Sequence, residues 1–134
     1  MSERNELQGE LQGELQGELQ YRSFNTIPIE QLNPFIDRQF VYGERGMLAR
    51  LTLRRGALVP LHSHENEQIT YILEGALRFT FGDGRVTTVR TGEVLVIPSN
   101  LPHQAEALED TIDLDIFTPP RADWIAGTDA YLRK

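Results

Sequence analysis

The segment Leu77–Val89, LRFTFGDGRVTTV, constrains the fold more than any other. LRFTF alternates apolar and polar side chains, and such a run makes one apolar face only when extended, where successive side chains point to opposite sides. Gly-Asp-Gly then reverses the chain. RVTTV, rich in β-branched residues, reads as the returning strand. The same pattern recurs in MLARLTL (Met47 to Leu53), QITYILEG (Gln68 to Gly75), EVLVIP, HQAEAL and TIDLDIF. Turn signals return about every 8–12 residues, the mark of an antiparallel sandwich or barrel. No helical period is sustained, although RADWIAGTDAYLRK at the C-terminus has room for one or two helical turns. The predicted fold class is all-β.

A chain of 134 residues suits one domain with its own core. The strand series from Phe40 places that domain at residues 21–134. Residues 1–20 stand apart, with ELQG three times in tandem from Glu6 to Gly17 and a partial fourth copy, Glu18 to Gln20. Leu7, Leu11, Leu15 and Leu19 would drift around one helical face, yet each full unit carries a glycine, which costs a helix about 1 kcal/mol relative to alanine. We read this segment as a flexible tail, the alternative being a helix ordered by a partner chain.

With no cysteine, neither disulfides nor thiolate metal ligands are available. Acidic residues outnumber basic ones by 20 to 13, and the net charge of −7 disfavours nucleic acid or an anionic membrane as partner. The sequence has no apolar run of about 18 residues and no apolar core of the signal-peptide kind near its start, so a cytoplasmic location is the default expectation.

The chain has three histidines. In PLHSHENEQ, His62 and His64 are two apart and share a face if extended, with Ser63 opposite. Gln68 begins the next strand and can return beside them, and His103 follows in IPSNLPHQAEA. Three imidazoles and an amide oxygen suit one divalent ion such as zinc, nickel, iron, manganese or copper.

The frame around these residues resembles the cupin family. Its first motif reads here Gly56, His62, His64, Gln68, Gly75, with every spacing matched and glutamine in the usual glutamate position. Its second motif reads Gly92, Pro98, His103, with Asn100 where glycine is usual and Ala107 where asparagine is usual. The resemblance covers about Phe40 to Phe117. It implies a double-stranded β-helix, a jelly-roll-like β-barrel with a metal in its lumen. Glutamine in place of glutamate leaves a bound divalent ion near +2, favouring anionic oxygen ligands and departing from the carboxylate-containing site of non-haem iron oxygenases.

TIDLDIFTPPR follows the second motif. Alternation puts Ile112, Leu114 and Ile116 on one face, read as packing, and Asp113, Asp115 and Phe117 on the other. Asp113 is read as solvated and Asp115, with Phe117 beside it, as lining a polar cavity. Pro119 and Pro120 stop the strand and set Arg121 just past it, to pair with a surface acid or to fork onto a substrate carboxylate.

A histidine, histidine, glutamine, histidine set followed by DIFTPPR is similar to the pectin-degradation cupins of the KdgF type. That resemblance implies conversion of 4,5-unsaturated galacturonate or mannuronate to open-chain keto acids. It places Asp115, Phe117 and Arg121 in the pocket, Asp115 moving protons, Arg121 holding the carboxylate and Phe117 packing on the sugar. The alternatives on the same ligands are a metal-dependent dioxygenase, a polyketide cyclase or isomerase, and a non-catalytic sugar-binding or sensor cupin. A small anionic or polar organic substrate is expected, and a homodimer in which Phe24 to Leu32 adds to a neighbour's sheet edge.

Overall fold

The computed structural model describes residues 17–133, so most of the ELQG repeat lies outside the described residues. Among the described residues ten strands form two antiparallel sheets. β1 (Glu30–Asn33), β2 (Ile36–Tyr42), β3 (Met47–Leu53), β10 (Thr111–Thr118), β5 (Glu67–Glu74) and β8 (Val94–Ile97) make a six-stranded sheet in that order. β4 (Leu58–His62), β9 (His103–Ala107), β6 (Ala76–Phe81) and β7 (Val86–Arg90) make a four-stranded one. A short helix α1 (Ala122–Ala126) and a 3₁₀ turn (Ala130–Leu132) follow. No helix among the described residues is long and apolar enough to cross a membrane.

Every strand expected from alternation is present. The LRFTF and RVTTV runs pair as β6 and β7. MLARLTL becomes β3, with Met47, Ala49, Leu51 and Leu53 buried. Two strands precede the expected series. β2 begins at Ile36 and carries Arg38 and Gln39 buried in succession, which hides its alternation. The segment expected to reach a neighbour's sheet is partly spent on its own, since β1 pairs with β2.

Gly75 requires glycine. Its φ is +104°, and a Cβ there would collide with Thr111 and the Asp110 carbonyl. Asn100 fills the second motif's glycine position at φ +63°, a left-handed conformation that asparagine tolerates. Its N–H donates to the His64 carbonyl at 2.8 Å, tying the two motifs together.

The two faces of β10 reverse part of the sequence reading. Ile112, Leu114 and Ile116, expected as packing, lie on the outer face, Ile116 being 42% exposed. Asp113, expected in solvent, is 3% exposed and faces the lumen beside Asp115 at 6%. Register explains this. Asp113, Asp115 and Phe117 pair with Leu51, Ala49 and Met47 on β3, and with Ile72, Thr70 and Gln68 on β5, all inward residues. A one-residue slip would turn both buried strands out as well.

Candidate metal centre

β4 ends at His62, β9 begins at His103, and the two are register partners. Their rings lie 4.4 Å apart, and His64 sits 5.5 Å from His62 and 5.1 Å from His103. One ligand atom from each of the three lies within 4.8 Å of the others. Gln68 comes in from β5, its Oε1 3.1 Å from His64 Nε2.

Hydrogen bonding fixes which ring nitrogen faces inward. Each Nδ1 meets a backbone carbonyl: His62 at Pro60 (2.8 Å), His64 at Asn66 (3.0 Å) and His103 at Leu101 (2.8 Å). A carbonyl only accepts, so each Nδ1 carries the proton and each Nε2 a bare lone pair. His103 Nε2 is buried without a partner. His64 Nε2 and Gln68 Oε1, two acceptors, face each other with no proton between them. The amide cannot turn to relieve this, because its Nε2 donates to Thr70 Oγ1 at 2.9 Å and to Asp115 Oδ1 at 3.5 Å.

Protonation does not resolve the deficit. Burial lowers His62 from 6.5 to about 3, and His103 and His64 add to the effect. Burial and the Arg121 charge bring His64 to about 4. His103 is lowered by burial and by Arg121. Near neutral pH the site is therefore four neutral acceptors converging on one point, the arrangement that a cation satisfies.

The carboxyl side is built differently. Thr70 Oγ1 donates to Asp115 Oδ1 at 2.7 Å across β5 and β10. Burial raises Asp115 to about 6, against the lowering effect of hydrogen bonds from Thr70 and Asp113 and of the Arg121 charge. Asp113 is pushed well above 3.8 by burial first and by Asp115 second. Its Oδ1 has no partner.

Arg121 is 2% exposed. Asn66, itself buried, donates to the Pro119 and Pro120 carbonyls and locates the bend before it. The guanidinium lies over Phe117 at 5.1 Å and over Trp124 at 4.8 Å. Its Nε and Nη2 grip Asp123 at 3.0 and 2.8 Å, and Nη2 also donates to Tyr131 Oη at 2.6 Å. Phe117 meets His64 edge-on at 5.6 Å.

Of the residues singled out from sequence, His62, Gln68, His103, Asp115, Phe117 and Arg121 line one lumen of about 40 Å³, and His64 sits against His62 and His103 at its edge. Sequence reasoning missed Thr70, Asn66, Trp124 and Tyr131. Thr70 had a usable signal, since it shares Gln68's parity on β5. Tyr131 had none, lying 69 residues beyond His62 in sequence yet stacked on its ring at 4.6 Å.

Comparisons with known proteins agree with this fold. The Cupin_2 cupin-domain model matches residues 49–118. KdgF from Halomonas sp. superposes with a TM-score of 0.74 at 27% identity, covering 80% of this chain and 99% of that one. An RmlC-like cupin from Shewanella frigidimarina does so at 0.74 and 23% identity, covering 82% and 99%, and shows the fold. Oxalate decarboxylase OxdC of Bacillus subtilis, a protein with Mn(II) centres, is 32% identical over 105 residues, covering 68% of this chain and 27% of the relative. The chain spans between 15% and 27% of the curated relatives it matches.

Proposed function

This chain belongs to the cupin family, and on that premise we propose that it opens the ring of 4,5-unsaturated uronate sugars to give keto acids. The observation that carries the reading is the junction of two chemistries in one lumen. Four converging neutral acceptors, His62, His64, Gln68 and His103, lie one hydrogen-bond step from a buried carboxyl held near neutrality, Asp115. The likeness to KdgF supports it.

The three Nε2 atoms and Gln68 Oε1 would hold one divalent ion, drawn from zinc, nickel, iron, manganese and copper. Such an ion supplies Lewis-acid polarisation of bound oxygens, undiminished by any ligand charge. The chain's own residues do the rest. Asp115 takes the proton of the anomeric hydroxyl. The C1–O5 bond breaks as C1 becomes the aldehyde carbonyl. The enolate left at C5 takes that proton back at C4 from the same carboxyl and becomes the ketone. No atom is gained or lost. A carboxyl shifted to about 6 is suited to both directions of transfer near neutral pH. Arg121 would hold the substrate carboxylate and Phe117 would pack on the ring.

The test is loss of the conjugated double bond's ultraviolet absorbance in an unsaturated galacturonate or mannuronate monomer. Acceleration over spontaneous opening is expected with at least one of the five ions. No acceleration with any of them defeats the reading.

A second reading rests on the lumen's size. About 40 Å³ holds about three waters at 10–15 Å³ each, which suits a small dicarboxylate, and one relative is an oxalate decarboxylase. Formate release from oxalate, without action on unsaturated uronates, would establish it instead.

A further inference from the structure

The lumen's lining includes a residue that neither cupin motif contains. Tyr131, on the 3₁₀ turn, stacks on His62 with ring centroids 4.6 Å apart and planes inclined by 30°. Its hydroxyl accepts the 2.6 Å hydrogen bond from Arg121 Nη2.

The five N–H groups of Arg121 can be accounted for one by one. Nε donates to Asp123 Oδ1, and the two protons of Nη2 go to Asp123 Oδ2 and Tyr131 Oη. Among the described residues no side chain or carbonyl takes Nη1. A carboxylate can fork onto a guanidinium from the side, through Nε and Nη2, or end-on, through Nη1 and Nη2. Asp123 fills the side approach. Tyr131 fills half of the end-on approach.

The segment that carries Tyr131 is anchored on either side of it, by buried Asp129 and by Leu132 in the core, while Tyr131 itself is half-buried. Asp129 pairs with Arg38 at 2.6 Å, and the Leu132 carbonyl accepts from Asn33 at 3.1 Å. It joins α1 through Gly127, whose φ of +73° allows a change of direction. The bulk of Tyr131 and Leu132 is part of what confines the lumen to about 40 Å³.

We propose that Tyr131 is a displaceable occupant of an anion subsite: an incoming carboxylate evicts its hydroxyl from Arg121 Nη2 and takes the end-on fork, and the Tyr131 side chain swings away from His62. This rests on the assignment of Arg121 as carboxylate holder and adds how that subsite is filled and opened. It also reconciles a six-carbon acid with a lumen sized for about three waters.

Trp124 is the only tryptophan, lies 4.8 Å from the Arg121 guanidinium and so reports on this subsite. The full chain, metal-free and zinc-loaded, is titrated with D-galacturonate, acetate and D-galactose while Trp124 fluorescence is followed. Tyr131→Phe keeps the stack and removes the competing hydroxyl, and a matching melting temperature confirms that its fold is kept. Both anions should bind this variant about tenfold tighter than wild type, the lower end of the worth of a hydrogen bond to a charged group. Galactose should show no gain. Tyr131→Leu should also bind both anions more tightly than wild type.

Equal or weaker anion binding by Tyr131→Phe overturns the proposal, as does the absence of a saturable response to either anion in every variant. The outcomes separate from the uronate reading. A gain for acetate with no turnover of unsaturated uronates leaves the gate and removes that substrate. Turnover without any gain leaves the substrate and removes the gate.

Discussion

The two walls of the lumen are buried alike and answer burial in opposite ways. On the imidazole wall, loss of water lowers His62 to about 3 and His64 to about 4. On the carboxyl wall it raises Asp115 to about 6 and lifts Asp113 well above its ordinary value. Desolvation disfavours whichever form is charged. The walls differ in what neutrality leaves behind. Neutral imidazoles whose Nδ1 protons are spent on backbone carbonyls present only lone pairs, and lone pairs converging on one point call for a cation. A carboxyl raised to about 6 beside a threonine hydroxyl can take a proton and give it back. In the proposed reading one wall would hold an ion and the other would move a proton, and Gln68 lies between them, its Oε1 turned to His64 and its Nε2 donating toward Asp115.

The strongest way to sharpen that contrast is Asp115→Asn. The amide keeps the shape and the tie to Thr70 but cannot cycle a proton. Turnover of the unsaturated uronate should fall about 10²–10⁴-fold, while metal content stays at wild-type level by elemental analysis. Loss of metal together with activity would show that the walls are not separate in function.

Thr70→Val attacks the joint between them. It removes the hydroxyl that orients the Gln68 amide and donates to Asp115. Metal affinity, measured by competition with a chelator, should fall about 10–100-fold, as when a supporting hydrogen bond behind a ligand is lost. Unchanged affinity would mean that Gln68 needs no orienting partner.

Asp113→Asn gives the smallest effect, and a pH-dependent one. A carboxyl raised above 3.8 in the fold binds its proton more tightly folded than unfolded. Its favourable contribution is therefore present below about 3.8 and declines as pH rises toward the folded value. Asparagine has no such decline. The melting temperature of the variant relative to wild type should rise between pH 4 and pH 7. A constant difference would show that Asp113 is charged in the folded protein.

What was legible in the sequence follows the same divide. Strands that alternate apolar and polar residues could be read, and so could ligands set in paired motifs, because strand parity and motif spacing are local. Asp113 could not, because its burial depends on the register of β10 against both β3 and β5. Alternation separated the two faces of β10 correctly but could not say that the face bearing carboxylates was the inner one. Arg38 and Gln39 obscured β2 for a related reason: Arg38 is buried against Asp129, 91 residues later. The tail's helical turns were legible, but not that they bring Trp124 and Tyr131 against the site.

The imidazole wall is proposed to hold one divalent ion through His62, His64, His103 and Gln68. Its most direct test is metal stoichiometry by elemental analysis of the full chain and of His62→Ala, His64→Ala and His103→Ala, each loaded with the same ion and desalted. Wild type should hold about one ion per chain, and each variant should lose most of it. Full occupancy in the three variants would place the ion elsewhere and contradict the account.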